Sequence, residues 1–185
     1  ADQEQEESIS AGKFGGNLVS TELGDPKTFN PILAQESSSS NIFEDYIFQS
    51  LIRVNGKTTK LEPCLATSWE SKQAGTVWTF KLREDVKWSD GEEFSAEDVV
   101  FTYDLIYDPE IPTSSRDVLT IGGEKIKVEA VDKYRVKMTL PKPFAPILRQ
   151  QPSILPKHKL YQSWKNGNFR EQWGINSDPQ EIVGT

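Results

Sequence analysis

The spacing of apolar positions changes from one segment of the chain to the next, and it predicts a mixture of strands and helices. In residues 77–82 (VWTFKL) the large side chains at 78, 80 and 82 alternate with Val, Thr and Lys, which is typical of a strand with one buried face. The same period of two runs through residues 126–140, on both sides of Asp132-Lys133, and predicts a β-hairpin. A weaker alternation predicts a first strand at 17–23. We therefore expect an antiparallel sheet.

Apolar residues at helical spacing mark other segments of the chain. The clearest helix begins after Ser95 and stops at Asp108-Pro109, and Ser95 and Asp98 have the spacing of a capping box. Asn41 and Glu44 have the same spacing at the start of another apolar stripe. Helices are predicted also at 41–53, 63–68 and 157–164. The serine-rich residues 35–40 follow neither period, and we expect a surface loop there.

The charge balance argues against nucleic acid as a partner. The chain has 21 Lys and Arg against 28 Asp and Glu, a formal charge of −7, and would repel phosphates unless a local patch reversed the field. Four of the acids lie among the first seven residues, so we predict a disordered acidic leader at 1–16. The basic residues of the predicted hairpin alternate with apolar ones and are expected to face solvent; they are Lys125, Lys127, Arg135 and Lys137.

The sequence carries none of the common cofactor or catalytic motifs. It contains no glycine-rich phosphate motif, no G-x-S-x-G, no H-E-x-x-H and no C-x-x-C. Its single cysteine, Cys64, can form neither an intrachain disulfide nor a thiolate zinc cage, and we expect a small core residue. Its single histidine, His158, is expected on the exposed side of a helix. We therefore predict no cofactor, no metal site and a binding function rather than catalysis.

Two alternatives of other classes stay open at this point. Five carboxylates lie within residues 90–98, and a pair of carboxylates can hydrolyse a glycosidic bond, although capping and turn formation already account for Asp90 and Asp98. The five tryptophans would suit a carbohydrate-binding or adhesion module, but the spacing of Trp69, Trp78 and Trp88 favours core positions.

Residues 65–99 closely resemble the signature of the family 5 extracellular solute-binding proteins, the peptide- and nickel-binding subunits of bacterial ABC importers. The likeness lies in LATSW at 65–69, in WTFKLREDVKWSDG at 78–91 and in the helix start FSAEDV at 94–99. Flanking segments extend it: FNP at 29–31, LPKPF at 140–144 and ILPKH at 154–158. Asp85, where glycine is commoner, and Gln73-Ala74-Gly75, in place of an Asp-Gly turn, are small departures.

The resemblance implies an α+β fold with a mixed or antiparallel sheet and short helices. It corresponds to the small N-terminal domain of a class II-like periplasmic binding protein together with part of the first lobe. We expect the leader at 1–16, the first strand and cleft loop of the ligand-binding lobe at 17–40, a small structural α+β domain at 41–155 and a return segment toward the lobe at 156–185. Because members of the family are much longer, we expect an N-terminal fragment that lacks the C-terminal lobe.

The resemblance also implies a function, a location and a site. Such a protein is no enzyme: it captures dipeptides, oligopeptides or another small solute in the periplasm or outside the cell, at the cell envelope, and delivers it to ABC permease subunits. The lipid-bearing cysteine of many members is missing, so attachment to the membrane by a lipid anchor stays open. The ligand-binding residues implied by the match at 29–31 are Gln35, Glu36, Ser37 and Ser38. Short hydroxyls and main-chain groups there would pair with an extended peptide, strand to strand.

Overall fold

The computed structural model describes residue 19 and residues 21–185, and of Asp45 only the backbone. The predicted acidic leader and part of the predicted strand at 17–23 lie outside the described residues. The described part of that strand, residues 19 and 21–23, is not in a sheet, so the strand prediction is wrong there. The predicted division of the chain after residues 40 and 155 stays a prediction.

The described chain is a succession of short strands and helices. In chain order these are α1 (Ser37–Tyr46), β1 (Ile52–Val54), β2 (Leu61–Pro63), β3 (Ala66–Lys72), β4 (Val77–Leu82), α2 (Ala96–Tyr107), α3 (Ser115–Val118), β5 (Thr120–Ile121), β6 (Glu124–Lys125), β7 (Lys127–Asp132), β8 (Arg135–Thr139) and α4 (Lys157–Lys165). Single 3₁₀ turns lie at Gln73–Gly75, Ala145–Leu148, Phe169–Glu171 and Pro179–Glu181.

The main sheet has four antiparallel strands in the order β3-β4-β8-β7. Its inner face carries Phe80, Val136 and Met138, which are fully buried, and α2 packs across β7 and β8 on this face. The outer face is polar because side chains alternate along each strand. There Glu129 pairs with both Lys127 and Lys137, so the predicted basic row is solvated and partly neutralised.

Helix α2 begins and ends where its sequence predicts. Ser95 and Asp98 form the capping box, and the helix stops at Asp108 before the proline. Helix α4 lies against α2, and the two helix starts are joined by Asp98: its Oδ2 accepts from Ser95 N at 2.9 Å and its Oδ1 accepts from Lys157 N at 2.8 Å. One carboxylate thus serves the N-termini of both helices.

The helix predicted at 41–53 is present only over 41–46, as part of α1, and the helix predicted at 63–68 is wrong. The first helix is α1, which begins four residues before Asn41, so Asn41 and Glu44 form no capping box. The chain then leaves the helix because Leu51 O accepts from Cys64 N at 3.3 Å and from Ala66 N at 2.9 Å. This pairing draws 52–54 and 61–63 into a hairpin, and the second predicted helix becomes strand. Long-range backbone bonds have overridden local helix propensity.

The last residues return to the beginning of the described chain. Phe29 N donates to Trp173 O at 2.8 Å, and the Trp173 ring stacks on Phe48 at 5.4 Å between centroids. Gly184 lies between Ser89 and Ile47: Ser89 N donates to Gly184 O at 2.9 Å, and a Cβ on Gly184 would lie 2.3 Å from Ile47 O. Only glycine fits at this point without a backbone shift.

Candidate solute-binding surface

The predicted ligand-binding residues Gln35, Glu36, Ser37 and Ser38 lie together at the N-terminus of α1. Gln35 and Ser37 are exposed, whereas Glu36 and Ser38 are half-buried. Glu36 is the N-cap residue, in extended conformation, and its carboxylate gives α1 no side-chain cap. The structure therefore brings the four residues together, but at a helix start and not in a loop.

The polar side chains of this segment bond mostly to the protein itself. The Glu36 carboxylate accepts from the Ser39 hydroxyl and from Lys27 N at 3.3 Å, and the Ser38 hydroxyl donates to Asp25 O at 3.3 Å. The Ser39 hydroxyl holds the pKa of Glu36 below its usual value; burial opposes this shift, and the backbone N–H groups support it. These bonds fasten the start of α1 to residues 25–28.

The helical conformation of Ser37 and Ser38 changes how their backbone can bind a peptide. Ser37 and Ser38 belong to α1, so their carbonyls are directed along the helix axis. Strand-to-strand pairing of a peptide with their backbone, as expected from the sequence, is wrong for these two residues. Contact through the Ser37 hydroxyl, the Gln35 amide and the first N–H groups of the helix remains compatible with the geometry.

A large cleft lies at the other end of α1, beside β1. It has a volume of about 640 Å³, within the range of roughly 300–1,000 Å³ typical of small-ligand sites. Its lining includes the buried apolar residues Phe43, Phe48 and Ile52. Its walls come from β1, from α3 and from the connection at 149–153. We call this cleft the β1 groove.

Two arginines, Arg53 and Arg149, line the β1 groove, and each has a partner outside it. Arg53 pairs with Glu62 at 3.1 Å, and Arg149 Nη2 donates to Thr59 O at 2.8 Å. The thiol of Cys64 lies on the groove wall, 3.4 Å from Gln49 Oε1, so the prediction of a core cysteine is wrong; burial nevertheless raises the pKa of this thiol. Sequence reasoning missed this groove, because its walls come from segments that are far apart in the chain, such as β1 and residues 149–153.

The acidic residues at 90–98 are held by separate partners. Asp90 Oδ2 lies 2.8 Å from His158 Nε2, Glu93 pairs with Lys133, and Glu97 pairs with Lys157. Asp98 is buried, and its carboxylate accepts hydrogen bonds from Lys157 N and Ser95 N. Burial raises the pKa of Asp98, and these two hydrogen bonds oppose that shift. Glu92, Glu93, Glu97 and Asp98 line one open pocket of about 340 Å³ beside His158, but Glu93, Glu97 and Asp98 are held by the partners just named, which weakens the support for a glycosidase. His158 is exposed on α4, as predicted, although it is paired.

The remaining sequence expectations concern metals, tryptophans and membranes. No cluster of three or more His, Cys, Asp or Glu within the described part of the chain could hold a metal ion. Trp88 is buried, and Trp69 and Trp78 are partly buried against the core, so their predicted packing role is confirmed. Among the described residues, every helix is too short or too polar to cross a membrane.

Comparison with known proteins gives consistent matches. Residues 60–185 match the family model for bacterial extracellular solute-binding proteins, family 5 Middle. The dipeptide-binding protein of Escherichia coli is 30% identical over 154 residues, which cover 76% of this chain and 29% of that protein. The periplasmic oligopeptide-binding protein OppA of the same organism is 31% identical over 182 residues, covering 90% of this chain and 32% of OppA.

Solved structures agree with these matches. DppA of Helicobacter pylori, in complex with the peptide STSA, is 28% identical with a TM-score of 0.69, and the match covers 87% of this chain and 34% of DppA. NikZ of Campylobacter jejuni, in complex with Ni(L-His), is 30% identical with a TM-score of 0.65, covering 88% of this chain and 30% of NikZ. The chain thus spans about a third of the length of these relatives.

The matches bear directly on the fold and on the class of protein. The α+β architecture predicted from the sequence is confirmed, because antiparallel sheets with short helices superpose on parts of solved binding proteins. The prediction of a non-enzymatic protein is confirmed by the matched family, which consists of extracellular binding proteins. This chain belongs to the bacterial extracellular solute-binding proteins of family 5.

Proposed function

We propose that this chain is the N-terminal part of the solute-binding component of an ABC importer, and that its solutes are dipeptides or oligopeptides. The observation that carries the proposal is its 30–31% identity to the dipeptide- and oligopeptide-binding proteins of Escherichia coli across 76% and 90% of the chain. The captured peptide passes to permease subunits at the cell envelope, in the periplasm or outside the cell.

The ligand-binding proposal includes Gln35, Glu36, Ser37 and Ser38. Support comes from the exposure of Gln35 and Ser37 and from the position of all four at the start of α1, where N–H groups attract the negative end of a ligand. In the longer protein, a second lobe, contributed by the chain beyond this one, closes over the solute.

The affinity of this chain alone is expected to be low. It supplies one wall of a site, so it buries too little of a peptide to offset the cost of ordering it. We expect a dissociation constant weaker than about 1 mM for a short peptide.

Titration of the ¹⁵N-labelled chain with tri-alanine tests this proposal, with maltotriose and Ni(L-His) as comparison solutes at equal concentration. We expect concentration-dependent shifts of backbone amides with the peptide and none with the sugar. Shifts with maltotriose alone would contradict peptide capture, and shifts with Ni(L-His) alone would assign the chain a nickel complex instead.

A further inference from the structure

A closed turn shortly before α2 holds the last residues of the described chain. Trp88 N donates to Glu92 O and Gly91 N donates to Trp88 O, both at 2.8 Å, so the turn is closed by its own backbone. Ser89 N donates to Gly184 O at 2.9 Å, and Gly184 N donates to Ser89 Oγ at 3.2 Å. Because the turn is closed on itself, a contact that fixes one of its residues also restrains Ser89 and its bonds to Gly184.

The same turn is joined to the start of α4 by a carboxylate and an imidazole. Asp90 Oδ2 lies 2.8 Å from His158 Nε2, although the two residues are 68 positions apart in the chain. Only 31% of the His158 side chain and 34% of the Asp90 side chain are exposed, so salt screens their interaction less than that of a fully exposed pair. The buried ring of Trp88 lies 6.3 Å from the imidazole, measured between centroids. The turn thus connects α4 with Gly184.

Other charged groups surround the imidazole, and their charges nearly balance. The titratable residues that line the same open pocket as His158 are Glu92, Glu93, Glu97, Asp98, Lys157 and Tyr161. Further lysines lie around this pocket: Lys133 and Lys87 near Glu93, and Lys159 next to His158 in the chain. Apart from Asp90, four carboxylates therefore stand against four lysines. Asp90 contributes the uncompensated charge in direct contact with the ring.

The Asp90 carboxylate keeps its charge over the pH range in which imidazoles change theirs. Burial acts to raise the pKa of Asp90, but the hydrogen bonds from the His158 ring and from Glu92 N outweigh it and hold this pKa below its usual value. Asp90 is therefore ionised above about pH 4. An imidazole gains its charge between about pH 8 and pH 5. The contact is thus a hydrogen bond from a neutral ring in alkaline solution and an ion pair, which is stronger, in mildly acidic solution.

We propose that the contact between Asp90 and His158 is a pH-dependent link, which fastens the turn, and through Ser89 also Gly184, to α4 more tightly in mildly acidic than in alkaline solution. The geometry supports this in three steps: the imidazole meets the carboxylate, the turn is closed by its own backbone, and the turn bonds twice to Gly184. The link does not depend on which solute the protein binds, so it goes beyond the proposed function and stands apart from it.

Amide hydrogen exchange of the ¹⁵N-labelled chain, measured by NMR from about pH 5.5 to about pH 8, tests the link. Each exchange rate is compared with the intrinsic rate at the same pH, which gives a protection factor. The protection factors of the Ser89 and Gly184 amides should be roughly two- to fivefold higher at the acidic end, the effect of a partly exposed ion pair. His158 is the only histidine of the sequence, so its ring signals report its protonation directly. The rise in protection should have the same midpoint as the titration of the ring.

Two variants separate the link from general effects of pH. His158→Gln keeps a side-chain amide but has no proton to gain, so the protection of Ser89 should no longer differ between the two ends of the pH range. Glu97→Gln is the matched control, because it removes a carboxylate of the same pocket that pairs with Lys157, and it should keep the difference.

Several results would overturn the link. In the parent chain these are equal protection at both ends of the pH range, or a midpoint that differs from that of the His158 ring. In the variants these are a difference that persists in His158→Gln, or one that disappears in Glu97→Gln. The comparison of midpoints uses the parent chain alone, so a variant that fails to fold does not affect it.

Discussion

Asp98 joins two helices, and replacing it should cost more stability than any other carboxylate in its neighbourhood. Its Oδ2 atom accepts from Ser95 N within the capping box of α2, and its Oδ1 atom accepts from Lys157 N at the first residue of α4. Asp98→Ala removes both acceptors. It also leaves the Lys157 N–H without this partner at a place where Leu155 and Leu160, on either side, are completely buried.

The expected loss follows from these two contacts. A capping residue contributes about 1 kcal/mol, and a hydrogen bond to a charged group contributes about 1.5–3 kcal/mol. Burial raises the pKa of Asp98, so the cost of desolvating the carboxylate offsets part of this gain. We therefore expect Asp98→Ala to lower the free energy of unfolding by about 2–3 kcal/mol.

Urea unfolding followed by tryptophan fluorescence measures this loss. The matched control is Glu97→Ala, which removes the neighbouring carboxylate and its 2.7 Å ion pair with Lys157. That pair is exposed, so the control should lose no more than about 0.5 kcal/mol. A loss for Asp98→Ala within 0.5 kcal/mol of the control would refute the conclusion that one carboxylate caps two helices.

Three further predictions follow from other contacts. Gly184→Ala places a Cβ 2.3 Å from Ile47 O and should lower the thermal midpoint by several degrees, about 1–3 kcal/mol, whereas Gly24→Ala, with no atom within 4 Å, should not. Phe48→Ala removes a buried ring stacked on Trp173 and should cost about 3–5 kcal/mol in urea unfolding; a loss below 1 kcal/mol would contradict the assigned packing. The indole N–H of Trp164 holds the pKa of Asp108 below its usual value, with burial opposing, so this pair stabilises the fold at neutral pH and loses its effect as acid protonates Asp108 below about pH 4. Between pH 5 and about pH 2, the free energy of unfolding should therefore fall less for Trp164→Phe than for the parent chain, as measured by urea unfolding followed by circular dichroism at each pH. An equal fall in both proteins would count against the pairing.

Local patterns were sufficient wherever one short segment contains all the partners of a contact. The capping box needs only Ser95 and Asp98, three residues apart, and the β4 alternation needs only its own side chains, so both were predicted correctly. The predicted helix boundaries are wrong where backbone groups from distant parts of the chain form hydrogen bonds in place of the helical ones. The residues after Tyr46 carry a helical pattern, but Leu51 O is bonded to Cys64 N and Ala66 N, which no local signal reveals.

The candidate site shows the same difference between what local sequence predicts and what long-range contacts decide. The sequence placed Gln35–Ser38 through a resemblance, and the structure brings these residues together but turns two of them into helix. The β1 groove was missed, because a cleft arises between segments that are adjacent only after folding.

By itself, the sequence determined the family, the α+β class and the strand and helix at residues 77–107, because period, caps and motif spacing are properties of neighbouring residues. The tertiary structure alone decided where α1 begins, why Asp98 serves two helices and where the β1 groove lies. Each of these depends on contacts between residues far apart in the chain, and backbone groups that find such partners outweigh the small free energies of local preference.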